Sequence, residues 1–207
     1  MTTATAQMDE IRALRGRIRS GVHTGPTTGC APGRMQANLV ILPRADAAHF
    51  RAFCDANPKP CPLLATSTLG DPRLPGYRVW RDGDLTDEPN DVTDLWRDDL
   101  VAFALGCSFG FEAAVIAAGI ALPHVAAGRN VSMYDTTLPL SPVEPFGGTM
   151  VVSMRLIPEE RVDEVISISA RFPQCHGTPV HVGDPSAIGI ADLQRPDYGD
   201  APAGAGV

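Results

Sequence analysis

The chain has 207 residues, with 17 Lys and Arg against 24 Asp and Glu and a formal net charge of −7. An acidic chain with no clustered Lys and Arg argues against a phosphate-tracking nucleic-acid surface. Hydrophobic residues at 44% supply a core for one large domain or two small ones, and 20 Gly with 19 Pro make it rich in loops. Five cysteines (Cys30, Cys54, Cys61, Cys107, Cys175) are an odd number without a CxxC pair, which argues against a disulfide framework and a zinc ribbon.

Residues 1–20 are polar and charged and do not read as a signal peptide, so a cytoplasmic location is expected. Within them, residues 7–20 predict an amphipathic helix with Ile11, Leu14 and Ile18 on one face and Gly21 as the stop. Residues 21–34 are a Gly, Pro and Thr loop, suited either to close approach of a ligand or to a plain surface connection. Residues 36–42 predict a strand, and 45–56 a helix with Ala47, Phe50 and Cys54 inward. The segment Asn57-Pro-Lys-Pro-Cys-Pro62 can be neither helix nor central strand. It is expected to be a rigid turn that fixes Lys59 and Cys61.

Residues 63–66 and 77–80 predict short strands, and the acidic stretch 81–95 an exposed loop. Residues 98–105 and 111–118 predict two helical pieces separated by Gly106-Cys-Ser-Phe-Gly110. Residues 149–156 predict a strand, and Pro158 a helix start with Val162, Val165 and Ile166 buried. Residues 179–182 and 187–190 predict strands, and the small residues from Gly199 to Val207 a flexible tail.

Glu112 is the only Asp, Glu, Lys or Arg between Leu100 and Gly128. Its apolar surroundings predict burial rather than a membrane span, because Gly106, Gly110, Gly119 and Pro123 interrupt the stretch and acidic Asp98 and Asp99 precede it. A buried carboxylate needs partners. Burial raises its pKa while a helix N-terminus lowers it, so the sign of the shift stays open.

Several segments together resemble one family. They are Ala31-Pro-Gly with Gln36-Ala-Asn-Leu, Asn57-Pro-Lys-Pro-Cys-Pro-Leu-Leu64, Trp96-Arg-Asp-Asp-Leu-Val101 and Gly106-Cys-Ser-Phe-Gly-Phe-Glu112. Further on come Asn130-Val-Ser-Met-Tyr134, Val151-Val-Ser-Met-Arg155, Arg171-Phe-Pro and His176-Gly-Thr-Pro-Val-His-Val-Gly-Asp-Pro185. In this order they resemble the bacterial D-glutamate cyclase-like hydro-lyases. The resemblance implies a mixed α/β fold, with a layered sheet-and-helix main part (residues 1–105 plus 180–207) and a smaller inserted two-layer α+β part (106–179). It also implies an enzyme that removes water from an amino acid or related small acid, as in closure of D-glutamate to its lactam.

No metal or organic cofactor comes with that resemblance, and the sequence offers no HExxH, P-loop or GxGxxG. A small-molecule substrate and a homo-oligomer are expected, with neither nucleic acid nor membrane as partner. Three departures stand out: the family continues well past Asp200, carries Ser where Gly110 stands, and carries Arg where Asp135 stands. Arg would suit a substrate carboxylate, whereas Asp attracts an amine or guanidine. The alternatives are therefore a divergent member acting on a cationic or neutral amino-acid derivative, or a non-catalytic binding subunit.

The catalytic candidates are Glu112, Cys107, Ser108, His176, His181 and Asp184. Glu112 is either the acid/base or a helix-start carboxylate, and Cys107 is either a nucleophile or a core thiol. Ser108 is either an oxyanion donor or a helix cap, and His176 and His181 with Asp184 are candidate proton carriers. The substrate-binding candidates are Asn38, Lys59, Asn130, Tyr134, Asp135 and Arg155, with Lys59 and Arg155 the natural carboxylate partners. Two histidines five residues apart share no helical face, so no metal pair is expected.

Overall fold

The apolar run 100–106 forms the middle strand of a three-stranded antiparallel sheet. A computed structural model describes residues 3–67 and 76–203 of the chain. Helix α1 (Thr3–Arg19) is followed after the 21–36 loop by strand β1 (Ala37–Pro43) and helix α2 (Arg44–Ala56). Strand β2 (Leu63–Ser67) and the hairpin β3 (Val79–Arg81) and β4 (Asp84–Asp87) come next. Strand β5 (Leu100–Gly106) leads into helix α3 (Phe109–Ala117), the short helix α4 (Pro123–Ala126), hairpin strands β6 (Met133–Pro139) and β7 (Thr149–Ser153), and helix α5 (Val162–Ser169). Helices and antiparallel sheets together make the fold mixed α/β. No described helix is long and apolar enough to cross a membrane.

The sheet order is β1-β5-β2, with Ala37 opposite Gly106 and Pro43 opposite Leu100. Alternation sorts its residues between two faces. Val40, Leu42, Val101, Phe103 and Leu105 meet Phe50, Phe53 and Cys54 of α2, together with Phe146. The Phe50 ring stands edge-on to Phe103 at 5.0 Å and to Phe146 at 5.2 Å, a preferred aromatic geometry. On the opposite face Leu39, Ile41, Ala102 and Ala104 line a broad groove of about 1450 Å³, with Ile11, Leu14 and Ile18 of α1 across it.

A second core joins α3 and α5 through Phe111, Val115, Ile120, Leu122, Val165, Ile168 and Cys175. A third holds Tyr134 of β6 against Ile188 and Ile190. The buried Asn57 side chain ties α2 to the 140s loop. Its Nδ2 donates to the Phe53 and Ser141 carbonyls, and its Oδ1 accepts from the Ser141 amide, each at 2.8 Å.

Several elements differ from the sequence expectation. Residues 98–105, expected as helix, are a turn at 98–99 followed by strand β5. A seven-residue apolar run buried on both faces carries neither period, so pairing with β1 and β2 overrides the helix preference of its Ala and Leu. The expected strands 179–182 and 187–190 do not form. The first stretch is irregular, and Pro185–Ile188 is a 3-10 turn capped by Asp184, whose carboxylate accepts from the Ser186 amide. The acidic stretch 81–95 is exposed, yet it contributes β4, because Asp82 and Gly83 adopt positive φ (52° and 90°) and close a tight hairpin. Helix α5 begins at Val162 after a 3-10 turn and buries Val165 and Ile168 rather than Ile166.

The start of the expected tail is anchored. The Asp200 carboxylate accepts from the Asn130 amide at 2.7 Å, and its carbonyl accepts from the Ser132 hydroxyl at 2.7 Å. Residues 204–207 lie outside the described residues.

Candidate functional site

Strand β5 delivers the chain into a tight corner. A side chain on Gly106 would collide with the Gln174 backbone carbonyl, and one on Gly110 would strike the Cys175 sulfur. The two glycines thus let the 173–176 turn press against the start of α3. Cys107 continues the sheet by donating its amide to the Gln36 carbonyl at 3.0 Å. Ser108 and Glu112 then fall at the N-terminal turn of α3, where the helix dipole favours a negative charge.

Glu112 is only 3% exposed, and its two oxygens are unequally partnered. Its Oε1 accepts from Arg155 Nε at 3.1 Å, Arg155 Nη2 at 2.6 Å and His124 Nε2 at 2.9 Å. Because a carboxylate only accepts, His124 Nε2 carries the proton. Oε2 meets only the Thr28 hydroxyl, at a long 3.5 Å. Burial pushes the Glu112 pKa up, but the hydrogen bond from His124 and the charge and hydrogen bonds of Arg155 outweigh it. The net direction is down, and the group is a carboxylate at neutral pH.

Arg155 follows β7 and is largely covered, its side chain 9% exposed and its guanidinium 4.8 Å from the centre of the Phe111 ring. Nη2 also donates to Ser108 Oγ at 2.9 Å. Among the described residues Nη1 has no hydrogen-bond partner. One fork edge is therefore spent on Glu112, and the remaining nitrogen can receive an anionic group.

Gln36 holds the Thr28 loop in place. Its amide nitrogen donates to the Thr27 and Cys30 carbonyls at 3.1 Å each, and its oxygen accepts from the Thr27 hydroxyl at 2.7 Å. The proline-rich turn approaches from another side. Lys59 Nζ donates to Thr178 Oγ1 at 3.0 Å, and the Lys59 carbonyl accepts from His176 Nδ1 at 2.9 Å. Burial is the main influence that lowers the His176 pKa. The charges of Arg155 and Lys59 add to it against the opposing carbonyls, so the ring stays neutral at pH 7. Burial likewise raises the Cys107 thiol pKa despite a backbone hydrogen bond and Arg155, which keeps it protonated.

Of the residues singled out from sequence, Glu112, Ser108 and Arg155 share one hydrogen-bond network, and Cys107 and His176 lie within reach of the Arg155 charge. Lys59 joins through His176. The others lie elsewhere. Asn38 lines the broad groove. Asn130 caps its own loop, its Oδ1 accepting from the Val131 amide. The Tyr134 hydroxyl donates to the Leu193 carbonyl inside a core. His181 Nε2 meets the Asp184 backbone oxygen rather than the carboxylate, which Ser186 occupies. Asp135 lines a separate cavity of about 330 Å³ with Asp192, Arg195 and Asp197.

Sequence reasoning missed His124, Thr28 and Gln36. His124 had a usable signal, a polar residue inside the apolar run of 120–127. Its pairing with Glu112 twelve positions away follows no local spacing. Among the described residues, no group of three or more His, Cys, Asp or Glu could hold a metal ion.

Comparison with known proteins identifies the family. The model of the protein family described as D-glutamate cyclase matches residues 101–205, the half that carries Cys107, Ser108, Glu112, His124, Arg155 and His176. A protein of Jannaschia sp. (strain CCS1) named "Putative hydro-lyase" is 54% identical over 204 residues, covering 92% of this chain and 77% of that protein. One of the same description from Bordetella petrii is 51% identical over 212 residues, covering 96% and 80%. Another, from Rubrobacter xylanophilus, is 53% identical over 200 residues, covering 90% and 77%.

Proposed function

Because the chain belongs to the D-glutamate cyclase family, we propose that it is a hydro-lyase that closes an amino diacid, D-glutamate first among them, to its lactam. The observation that carries this reading is the buried Glu112 carboxylate, with one oxygen saturated by Arg155 and His124 and the other nearly unoccupied.

Lactam closure forms a C–N bond from the substrate nitrogen to its own distal carboxyl carbon and breaks a C–O bond there. Two of the three ammonium protons leave with one carboxylate oxygen as water, so the charge is unchanged. The chemistry needs a group that takes a proton from nitrogen and returns it to oxygen. Glu112 Oε2 is ionised, buried and available for that exchange. Arg155 Nη1 offers a donor to the carboxyl that reacts, where negative charge builds on oxygen as the amine adds. Lys59, fixed by the prolines on either side, offers a second cation for the other carboxylate. Holding both ends brings nitrogen and carbon into contact and lowers the ordering cost of ring closure. Neither a metal nor an organic group takes part in this scheme. A cationic substrate draws no support from Asp135, which lines the separate cavity.

Incubating the folded protein with D-glutamate and a panel of related amino acids, with mass detection of the loss of one water, tests the proposal. Turnover that falls by at least about 100-fold in Glu112→Gln is expected for a lost acid/base. A folded protein that dehydrates no member of the panel would overturn it.

A further inference from the structure

The Glu112 carboxylate is divided between two tasks, and the division depends on a residue from another helix. Arg155 alone could bind both oxygens as a fork. Here both of its donors converge on Oε1, and His124, at 7% exposure, adds a third at 2.9 Å. A carboxylate gripped only by a guanidinium can rotate about its terminal torsion, which is soft. A third donor from α4 removes that freedom and turns Oε2 toward Thr28.

We propose that His124 is a positioning residue for the dehydration: its Nε2–H locks Glu112 so that Oε2, and not Oε1, faces the substrate. This rests on the lyase reading above, in which Glu112 carries the proton. His124 itself touches no substrate. The charged, titratable or polar groups that bear on Glu112 are Arg155 after β7, His124 on α4, the Cys107 thiol at the β5–α3 corner and the Thr28 hydroxyl. His176 lies beyond Arg155. Of the donors to Oε1, His124 is the one that can be removed while the Arg155 guanidinium stays in place.

The variants are His124→Leu, which removes the donor, and His124→Gln, whose amide N–H replaces it. Two readouts are followed at once. In protein labelled with carbon-13 glutamate, with the Glu112 signal assigned from Glu112→Gln, the carboxyl titration moves to higher pH by about one unit in His124→Leu, a tenfold gain in proton affinity. It returns most of the way in His124→Gln. With D-glutamate, His124→Leu lowers kcat about 10- to 100-fold with KM held within about twofold, the signature of an interaction made in the transition state. The acid limb of kcat/KM moves up with the titration, and His124→Gln recovers both. An unmoved Glu112 titration in His124→Leu, or a loss confined to KM, overturns the proposal. If His124→Leu does not fold, His124→Asn, whose shorter amide stops short of Oε1, is read by the same criteria. Absence of turnover in the wild type would sink the lyase reading alone, because the titration still decides whether His124 positions Glu112.

Discussion

Replacing Arg155 by Met keeps an unbranched apolar stem beside the Phe111 ring and removes the guanidinium. The substitution removes the bonds at 2.6 and 3.1 Å to Glu112 and that at 2.9 Å to Ser108. It strands a carboxylate whose side chain is 4% exposed. Breaking one partner of a buried pair costs about 3–5 kcal/mol. In a chain of this size each kcal/mol lowers the melting temperature by roughly 2–4 °C. A fall of about 6–20 °C at pH 7 is therefore expected by circular dichroism.

The pH dependence follows from the same geometry. In the wild type the Glu112 pKa lies below its ordinary value, so its contribution is present above about pH 4.3 and is lost as pH falls through the folded pKa. Without Arg155 only His124 still opposes burial, so the folded pKa is expected to rise and the ionised carboxyl to favour folding less. The gap between wild type and Arg155→Met should therefore be widest at pH 7 and narrow toward pH 4. Adding Glu112→Gln should recover about 2 kcal/mol at pH 7, because neighbours in one network are not additive. A penalty below about 1 kcal/mol, unchanged between pH 7 and 4, would refute the reasoning.

Asn57→Ala should cost about 3 kcal/mol in urea unfolding, since it removes three hydrogen bonds of a buried side chain, to the Phe53 carbonyl and to the Ser141 amide and carbonyl; a cost under about 1 kcal/mol would mean water replaces them. Gly110→Ser should destabilise by about 1–3 kcal/mol through overpacking against Cys175, and Cys175→Ala in the same chain should return most of it. No recovery would place the strain elsewhere. His176 should titrate below 6.5 by proton NMR of its ring. Its lowered folded pKa gives stability that is full above pH 6.5 and lost as pH falls through the folded pKa, so His176→Gln should flatten the stability profile there. A midpoint at or above 6.5 would contradict the burial drawn for it.

Much of the local structure was legible because it follows local rules. The Ile11, Leu14 and Ile18 spacing marks the inner face of α1, Phe50 and Cys54 that of α2, and three prolines exclude regular structure from 57–62. The Asp82-Gly83 pair was an equally local signal for the β3–β4 hairpin. Strand β5 was not legible, because a short apolar run buried on both faces suits a helix or a strand equally until its neighbours are placed. The candidate site divides the same way. An isolated carboxylate in an apolar run points to itself, but its partners come from the segment after β7, α4 and the 21–36 loop at sequence separations of 43, 12 and 84 residues.

By itself, then, the sequence determined the family, the mixed α/β class and the prominence of Glu112, because ordered motifs and an unaccompanied charge are properties of the chain. Only the tertiary structure decided how that charge is held. The net direction of its pKa depends on whether burial or donors prevail, and the donors are supplied by segments that folding alone brings together. The same contacts leave one oxygen saturated and the other nearly bare, a distinction between two chemically equivalent atoms that no sequence can express.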